Sequence, residues 1–422
     1  MDIVISINFL ISILFTFCYF YQIIYVFIGL IKKPSKLKAV RNHRYAIIIS
    51  ARNEANVVGN LLDSIHQQTY PADMIDTFVV ADNCTDNTAE IARENGAYVY
   101  ERFNNEQVGK GYALNWLFDL IKKDHGNKQY EAYIVFDADN VLDPHFIEEM
   151  NNLFDNGYRI LTSYRNSKNY GENWITAGYS LWFLRESKFL NNVRMELKTS
   201  CAISGTGFLI SADIINSNGG WIHHLLTEDI EFSADSIIKG ERIGYCGDAV
   251  LYDEQPRTFC QSYTQRLRWA KGFYQVLRHY GLKLFGGTLK GRFSCFDMLM
   301  TITPAMLLTL ILTAINMIAI PLGLIFEAEN ISLLFLSLSQ TIFGFYMKFF
   351  FLGLVTSITE RKQIHCSTFK KVLYVFTFPL FMLTYIPIAI VALFKKVKWE
   401  PIKHSVTKTL EDIQDESGST VA

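Results

Sequence analysis

Between residues 3 and 31 the sequence carries no charged side chain. The run exceeds the roughly 20 residues a helix needs to cross a bilayer, so the chain begins with a membrane helix. A cleaved signal peptide is disfavoured: there is no basic n-region, the run is too long, and no small-residue cleavage pattern precedes Lys32. Lys32, Lys33, Lys36, Lys38, Arg41 and Arg44 follow at once. The positive-inside rule puts them, and what comes after, in the cytosol, with the N-terminus outside.

Three further apolar stretches occupy about 298–326, 331–358 and 372–394. The connector Glu327-Ala328-Glu329-Asn330 is acidic, whereas Glu360-Arg361-Lys362 and Lys370-Lys371 make the next one basic, as alternating sides require. Three full crossings would leave Lys395, Lys396 and Lys398 outside, against their charge. One stretch is therefore expected to be re-entrant or interfacial, and the last, broken by Pro379 and Pro387, is the first candidate.

Apolar residues make up 50% of the chain but are piled into its two ends, and the middle has the composition of a soluble α/β domain. Lys plus Arg total 40 against 41 for Asp plus Glu, so the basic surplus of a nucleic-acid binder is missing. Cys18, Cys84, Cys201, Cys246, Cys260, Cys295 and Cys366 are scattered without a C-x-x-C pair. Neither a zinc site nor a disulfide framework is expected.

In the middle, strand-like and helix-like segments alternate. Tyr45-Ala46-Ile47-Ile48-Ile49 is followed by a helical pattern at 55–67, a strand at Thr77-Phe78-Val79-Val80 and a helix at 88–94. A strand at Tyr98-Val99-Tyr100, a helix at 112–122 and a strand at Tyr133-Ile134-Val135-Phe136 continue the series. This order predicts a mostly parallel sheet with helices on both faces and a ligand site beyond the carboxyl ends of its strands. No internal repeat is present, and the tail after about residue 411 reads as disordered.

The segments after those strands are polar: Ser50-Ala51-Arg52-Asn53-Glu54 and Ala81-Asp82-Asn83-Cys84-Thr85-Asp86-Asn87-Thr88. Taken singly, each reads as turn and cap chemistry. Gly109-Lys110-Gly111 lacks Walker spacing. In Asp137-Ala138-Asp139 two carboxylates just off a strand can converge on one hard cation, Mg²⁺ or Mn²⁺, able to neutralise a diphosphate. Thr227-Glu228-Asp229 opens a helical pattern, where Thr227 would cap and a carboxylate could equally serve as general base. In a helix from about 259 to 279, Gln265, Arg268 and Trp269 share a face. Phe259, Tyr263, Leu267, Ala270, Tyr274 and Leu277 form an apolar stripe on another. The stripe, with Arg266, Lys271 and Arg278, predicts a helix lying on a membrane surface. Arg268 could clamp a phosphate and Trp269 could stack on a sugar.

Asp82, Asp137-x-Asp139, Thr227-Glu228-Asp229 and Gln265-x-x-Arg268-Trp269, in this order and followed by membrane helices, resemble the processive family 2 glycosyltransferases, such as cellulose, hyaluronan, chitin and poly-N-acetylglucosamine synthases. The resemblance implies a GT-A fold, an α/β domain, in which Asn53, Glu54 and Asp82 hold uridine and Lys110 lies near the nucleotide. It further implies that Asp137 and Asp139 bind the metal diphosphate, that Asp229 beside Glu228 is the base, and that Gln265 and Arg268 grip the pyrophosphate. Trp269 would floor the acceptor site, with Gly205 and Thr206 of Ser204-Gly205-Thr206-Gly207 as an acceptor-side loop. Trp399 resembles a nucleotide-side Trp, which puts the tail in the cytosol; its setting, Trp399-Glu400-Pro401-Ile402-Lys403-His404, disfavours hyaluronan as product.

The expected organisation is a transmembrane helix at 1–33, a cytosolic GT-A domain at 34–256 and amphipathic interface helices at 257–296. Transmembrane or re-entrant helices at 297–395 and a cytosolic tail at 396–422 complete it. The expected activity is inverting transfer from UDP-glucose or UDP-N-acetylglucosamine to a growing β-linked glycan, in the plasma membrane and without nucleic acid, accessory subunits being left open. The alternatives are a non-processive enzyme with a membrane-lipid acceptor and a catalytically inactive subunit or sugar sensor.

Overall fold

A computed structural model describes residues 2–32, 36–326 and 331–415. Lys33, the acidic connector 327–330 and the end of the tail lie outside the described residues. Helix α1 (Asp2–Ile31) precedes β1 (Tyr45–Ala51), α2 (Val58–His66), β2 (Ile75–Asp82), α3 (Thr88–Glu94), β3 (Tyr98–Arg102), α4 (Lys110–His125) and β4 (Ala132–Asp137). Then come β5 (Val141–Leu142), α5 (Phe146–Asp155), β6 (Ile160–Ser167) and a long helix made of α6 (Trp174–Arg185), a π-helical stretch (Glu186–Asn191) and α7 (Asn192–Glu196). Strand β7 (Phe208–Ser211), α8 (Ala212–Asn218), α9 (Glu228–Lys239) and β8 (Ile243–Asp253) finish the sheet domain.

The strands form one sheet in the order β3-β2-β1-β4-β7-β6-β8-β5. The expected parallel order holds for β3, β2, β1 and β4. Beyond β4 the sheet is mixed: β7 runs antiparallel to β4 and β6, and β5 antiparallel to β8, while β6 and β8 are parallel. The chain makes a long helical excursion between β6 and β7 and returns in the opposite sense. Along β1 the side chains alternate between two cores: Tyr45, Ile47 and Ile49 enter one, Ala46 and Ile48 the other. Both faces are thus covered, which is why the strand is apolar throughout. Burial of each such Ile or Val contributes about 1.5–3 kcal/mol.

The C-terminal part comprises α10 (Phe259–Leu289), α11 (Phe293–Ile302), α12 (Pro304–Phe326), α13 (Ile331–Thr359), α14 (Thr368–Leu383), α15 (Tyr385–Phe394) and α16 (Leu410–Asp415). Among the described residues three segments are long and apolar enough to span a membrane, Ile5–Ile31, Phe335–Thr359 and Thr368–Phe394, and they carry exposed large side chains such as Phe17, Phe27, Phe351 and Phe376. The apolar stretch expected from 298 is divided. Pro304, which cannot continue α11's backbone bonding, opens α12. Cys295, Met298, Leu299 and Ile302 of α11 pack on Val276 and Leu284 of α10 and on Ala234 and Ile237 of α9. Asp297 is buried and paired with Arg194, whose Nε and Nη2 donate to its two oxygens at 2.7 and 2.8 Å. Helix α1 meets α12 through a reciprocal amide pair, Asn8 with Asn316, at 3.1 and 2.8 Å.

The last stretch breaks at Thr384, between α14 and α15. Its two ends are tied differently: Lys370 Nζ donates to Gly171 O of the sheet domain at 2.7 Å, and Lys271 Nζ of α10 donates to Ala392 O at 3.0 Å. In α10, Leu267, Ala270, Tyr263 and Tyr274 of the stripe pack on Ile388, Ala392 and Val391 of α15. Arg266, expected as an exposed basic residue, is 0% exposed. Its Nη1 donates to Phe381 O at 3.1 Å and Thr384 Oγ1 at 2.6 Å, and its guanidinium lies over the Phe381 and Tyr385 rings. A helix broken within an apolar layer needs its freed carbonyls satisfied, and Arg266 and Thr384 do this for Phe381.

Candidate active site

Beyond the carboxyl ends of β1, β2 and β4 lies a cavity of about 270 Å³. Its donor-side wall holds Glu54, Asp82, Lys110, Asp137 and Asp139; its opposite wall holds Gly205, Glu228, Asp229, Gln265, Arg268 and Trp269; Trp399 of the tail also faces it. Twelve of the fourteen expected site residues therefore converge although they span Glu54 to Trp399.

Two do not line it. Asn53 adopts a left-handed conformation (φ 59°), and its Oδ1 accepts from Thr85 N at 2.7 Å, tying the loop after β1 to the loop after β2. Thr206 is buried: its hydroxyl accepts from Asp137 N at 2.9 Å and donates to Asn140 Oδ1, holding the end of β4 against the neck of β7. Asn53 and Thr206 thus make bonds that hold neighbouring loops and strand ends together. The expected side-chain cap at Thr227 is not made: its hydroxyl is buried without a partner among the described residues. At the start of α3, by contrast, Asp86 Oδ1 accepts from Thr88 N at 3.1 Å.

The donor-side wall is held by charge pairs. Arg102 Nη1 donates to Asp82 Oδ1 at 2.5 Å, both side chains buried. Lys110 Nζ bonds Asp137 Oδ1 and donates to Gly205 O at 2.7 Å, joining the two walls. Asp139 Oδ2 accepts from Glu254 N at 2.9 Å. Burial would raise the Asp139 carboxyl, but His404, Lys168, the Glu254 N–H and Arg165 outweigh it and hold the group below the ordinary range.

The tail contributes more than Trp399. His404 Nδ1 lies 2.9 Å from Glu54 Oε1, and Ser405 N and Val406 N both donate to Glu254 Oε2 at 2.8 Å. Burial would lower the His404 pKa; Asp139, Glu54 and Glu254 push it up to about 10, so the ring is cationic at neutral pH. The Trp399 ring stacks under the Arg52 guanidinium, 5.2 Å from its centroid. His404, Arg52, Arg165, Asp253 and Glu254 also line the cavity and were not among the expected site residues. His404 had a signal in its place five residues after Trp399, and Arg52 in its place in the polar segment after β1.

On the opposite wall Glu228 and Asp229 begin α9. Burial, then Asp229, push Glu228 up to about 7 against Lys110 and Arg268, and burial also raises Asp229. Arg268 Nη1 donates to Leu226 O at 3.1 Å, and Gln265 Oε1 is buried without a partner among the described residues. The Trp269 ring meets Tyr179 and Phe183 edge-on, with centroids 5.7 and 6.3 Å apart.

Asp137 and Asp139 supply hard carboxylate oxygens suited to a divalent cation. Asp137 Oδ2 has no hydrogen-bond partner among the described residues, and Asp139 Oδ1 meets only the adjacent Asn140 Nδ2, at 3.4 Å. No group of three or more His, Cys, Asp or Glu at metal-holding spacing occurs among the described residues. The donor set thus fits a cation that draws its remaining ligands from a bound phosphate group and water. An ionisable carboxylate that shares a cavity with an Arg, a Gln and an aromatic ring can remove a proton from a hydroxyl next to a leaving anion.

Residues 43–272 match the family described as glycosyltransferase like family 2. The chain is 25% identical over 277 residues to the probable glycosyltransferase YdaM of Bacillus subtilis, covering 60% of each. It is 27% identical over 273 residues to the beta-monoglucosyldiacylglycerol synthase of a Nostoc species (60% of this chain, 54% of the relative). Identity to the poly-beta-1,6-N-acetyl-D-glucosamine synthase of Staphylococcus epidermidis is 26% over 295 residues, covering 66% and 68%. The match spans about 50% to 60% of the length of the first of these relatives and their like. Among solved structures, the mannosyltransferase PcManGT of Pyrobaculum calidifontis, in complex with GDP-Man and Mn²⁺, superposes with a TM-score of 0.57 at 14% identity, covering 93% of this chain and 99% of that one. By that family match and this shared architecture, the chain belongs to the family 2 glycosyltransferases and has the GT-A fold.

Proposed function

We propose that the protein is a membrane-embedded inverting glycosyltransferase that takes a sugar from a UDP-sugar, UDP-glucose or UDP-N-acetylglucosamine, and extends a β-linked glycan. The observation that carries this reading is one cavity in which the Asp137/Asp139 carboxylates, the Gln265/Arg268 face and the Asp229 carboxylate surround a common space floored by Trp269. Asp82 and Glu54 border the nucleotide end, with Trp399 over Arg52 closing it. Asp229 takes the proton of the acceptor hydroxyl as that oxygen attacks the anomeric carbon; the bond from this carbon to the diphosphate breaks on the far side, and the configuration inverts. Gln265 and Arg268 hold the departing diphosphate. Mg²⁺ or Mn²⁺ held by Asp137 and Asp139 would supply further neutralisation of that charge.

Within this reading α1, α12 and α13 cross the membrane while α14 and α15 lie along its inner face, so that the tail reaches the catalytic cavity from the cytosolic side. The start of α14 bonds the sheet domain and the end of α15 bonds α10, the helix that carries Gln265 and Arg268, which supports it. A cysteine replacing exposed Lys403 in a cysteine-free background should react with an impermeant thiol reagent only after permeabilisation. Labelling in intact cells would reverse the arrangement.

A membrane-lipid acceptor is the second reading, favoured by the apolar side chains Leu190 and Phe273 in the cavity and by the lipid-modifying activity named for the Nostoc relative. Purified protein in lipid, given a panel of labelled UDP-sugars with Mg²⁺ or Mn²⁺, decides between them. A high-mass product cut by a β-linkage-specific hydrolase supports polymer synthesis; a single sugar on extractable lipid supports the second; no release of UDP from any donor defeats both.

A further inference from the structure

The helix formed by α6, the π-helical stretch and α7 lines the cavity with Trp182, Phe183, Glu186, Leu190 and Arg194. Residues 182, 186, 190 and 194 are four apart. In a regular α-helix each such step drifts by about 40° around the axis, and the set would leave one face within three steps. The wider turn at Glu186–Asn191 corrects the drift and keeps them on one wall. Gln265, Trp269 and Phe273 of α10, again four apart, face the same cavity.

These two helices make an arm of the cavity that leaves Asp229 and ends at Thr301 and Arg194, where Arg194 is neutralised by Asp297 and Tyr21 and Tyr25 of α1 bond the same carboxylate at 2.9 and 3.2 Å. The arm is graded. Near Asp229 it offers the indoles of Trp182 and Trp269 and the Glu186 carboxylate; farther along it offers Leu190 and Phe273. Glu186 Oε1 accepts from Ser204 Oγ at 2.9 Å, and no donor reaches Oε2 among the described residues. The Arg185 guanidinium lies over one face of the Trp182 ring, 4.8 Å from its centroid. A carboxylate oxygen and indole rings lining one cavity match a pyranose, which presents an apolar face for stacking and hydroxyls that donate to an acid.

We propose that this arm is the acceptor subsite, that Glu186 accepts hydrogen bonds from hydroxyls of the acceptor's terminal pyranose, and that Trp182 stacks on that sugar, with the rest of the acceptor running toward α1 and α11. The inference rests on the transferase reading above and deepens it by naming the acceptor's contacts. The shared chemistry is a terminal hexose, carried by a glycan or by a glycolipid.

The test measures acceptor and donor KM separately, with two probe series: β-linked di- to tetrasaccharides, and a monoglycosyl diacylglycerol in mixed micelles. Glu186→Gln keeps an oxygen for Ser204 but offers an amide where the acid accepted. It should raise acceptor KM about tenfold and leave donor KM within twofold, the scale of one lost charge-assisted hydrogen bond. Trp182→Ala should act in the same direction, and Leu190→Trp, which fills the arm, should exclude the tetrasaccharide more than the disaccharide. UDP binding by each variant, read as a thermal shift, reports whether the domain is folded. If the unaltered protein transfers sugar but Glu186→Gln and Leu190→Trp leave acceptor KM unchanged, or donor KM moves in parallel, the arm is not the subsite. If the unaltered protein transfers to neither series and releases no UDP, the transferase reading itself fails. The probe used best by the unaltered protein identifies the acceptor class.

Discussion

The two walls of the cavity are built from different kinds of sequence. The donor-side wall comes from residues 50–139, where each polar group sits just past a strand of the parallel half-sheet, and its charges are neutralised locally: Asp82 by Arg102, Asp137 by Lys110. The opposite wall is assembled from α6–α7, α9 and α10, helices that also pack on the membrane-side elements. There Gln265 Oε1 and Thr227 Oγ1 are buried without partners among the described residues, as is Arg52 Nη1 on the donor side. A wall of paired charges is suited to hold one nucleotide in one pose. A wall with unmatched polar groups has hydrogen bonds to give to a ligand, and each such group costs about 1–3 kcal/mol while unmet.

If the walls divide donor binding from chemistry in this way, the largest separation should appear at Asp229. Asp229→Asn should lower kcat by about a hundredfold to ten-thousandfold, the span expected for loss of a general base, with UDP affinity nearly kept. Single-turnover transfer beside UDP titration checks it, and equal loss in both would make Asp229 a structural residue of α9. The next largest effect lies on stability, where the acceptor wall joins the membrane helices. Asp297→Asn strands the buried Arg194 charge and should destabilise the fold by about 3–5 kcal/mol, read as an earlier unfolding midpoint in detergent. On the donor side, His404→Gln removes the cation that Glu54 and Asp139 share and should weaken UDP binding by about tenfold, leaving kcat at saturating donor within a few-fold. A fall in kcat with unchanged affinity would move His404 to the chemical wall.

The same division explains what could be read from the amino-acid order. Strands β1 to β4 were legible because Ile47, Ile48 and Ile49 fill two cores at once, and a local rule, polar residues after a strand, then locates Asp82, Asp137 and Asp139. Beyond β4 the order of strands depends on where the α6–α7 excursion returns, and no local pattern around Phe208 states that β7 runs antiparallel. Asn53 and Thr206 read as ligand contacts in a motif; only the fold shows that Asn53 Oδ1 also accepts from Thr85 N and that the Thr206 hydroxyl donates to Asn140 Oδ1. Arg266 is the sharpest case, since a basic residue on an amphipathic helix reads as solvated until the α14–α15 break supplies a carbonyl and two aromatic rings to receive it. Each of these depends on a partner more than thirty residues away in sequence or on another element.

The smallest expected effect is a displacement of the pH profile, and it tests whether Glu228 and Asp229 act as one unit. Both carboxyls are raised by burial, Glu228 up to about 7 with Asp229 adding to the rise, while Lys110 and Arg268 pull both down. The base works only when ionised, so kcat/KM should fall as the pH drops through an apparent pKa above that of an ordinary aspartate, and that value belongs to the pair. Glu228→Gln removes a like charge, making ionisation of Asp229 easier, and should move the acid limb to lower pH. Arg268→Leu removes an opposite charge and should move it to higher pH, over and above any loss of diphosphate binding. Opposite displacements of the acid limb in the two variants would tie the wall's unpaired charge to the chemistry. An acid limb that stays in place in Glu228→Gln would mean that the two carboxylates titrate independently, and Asp229 alone would then set the profile.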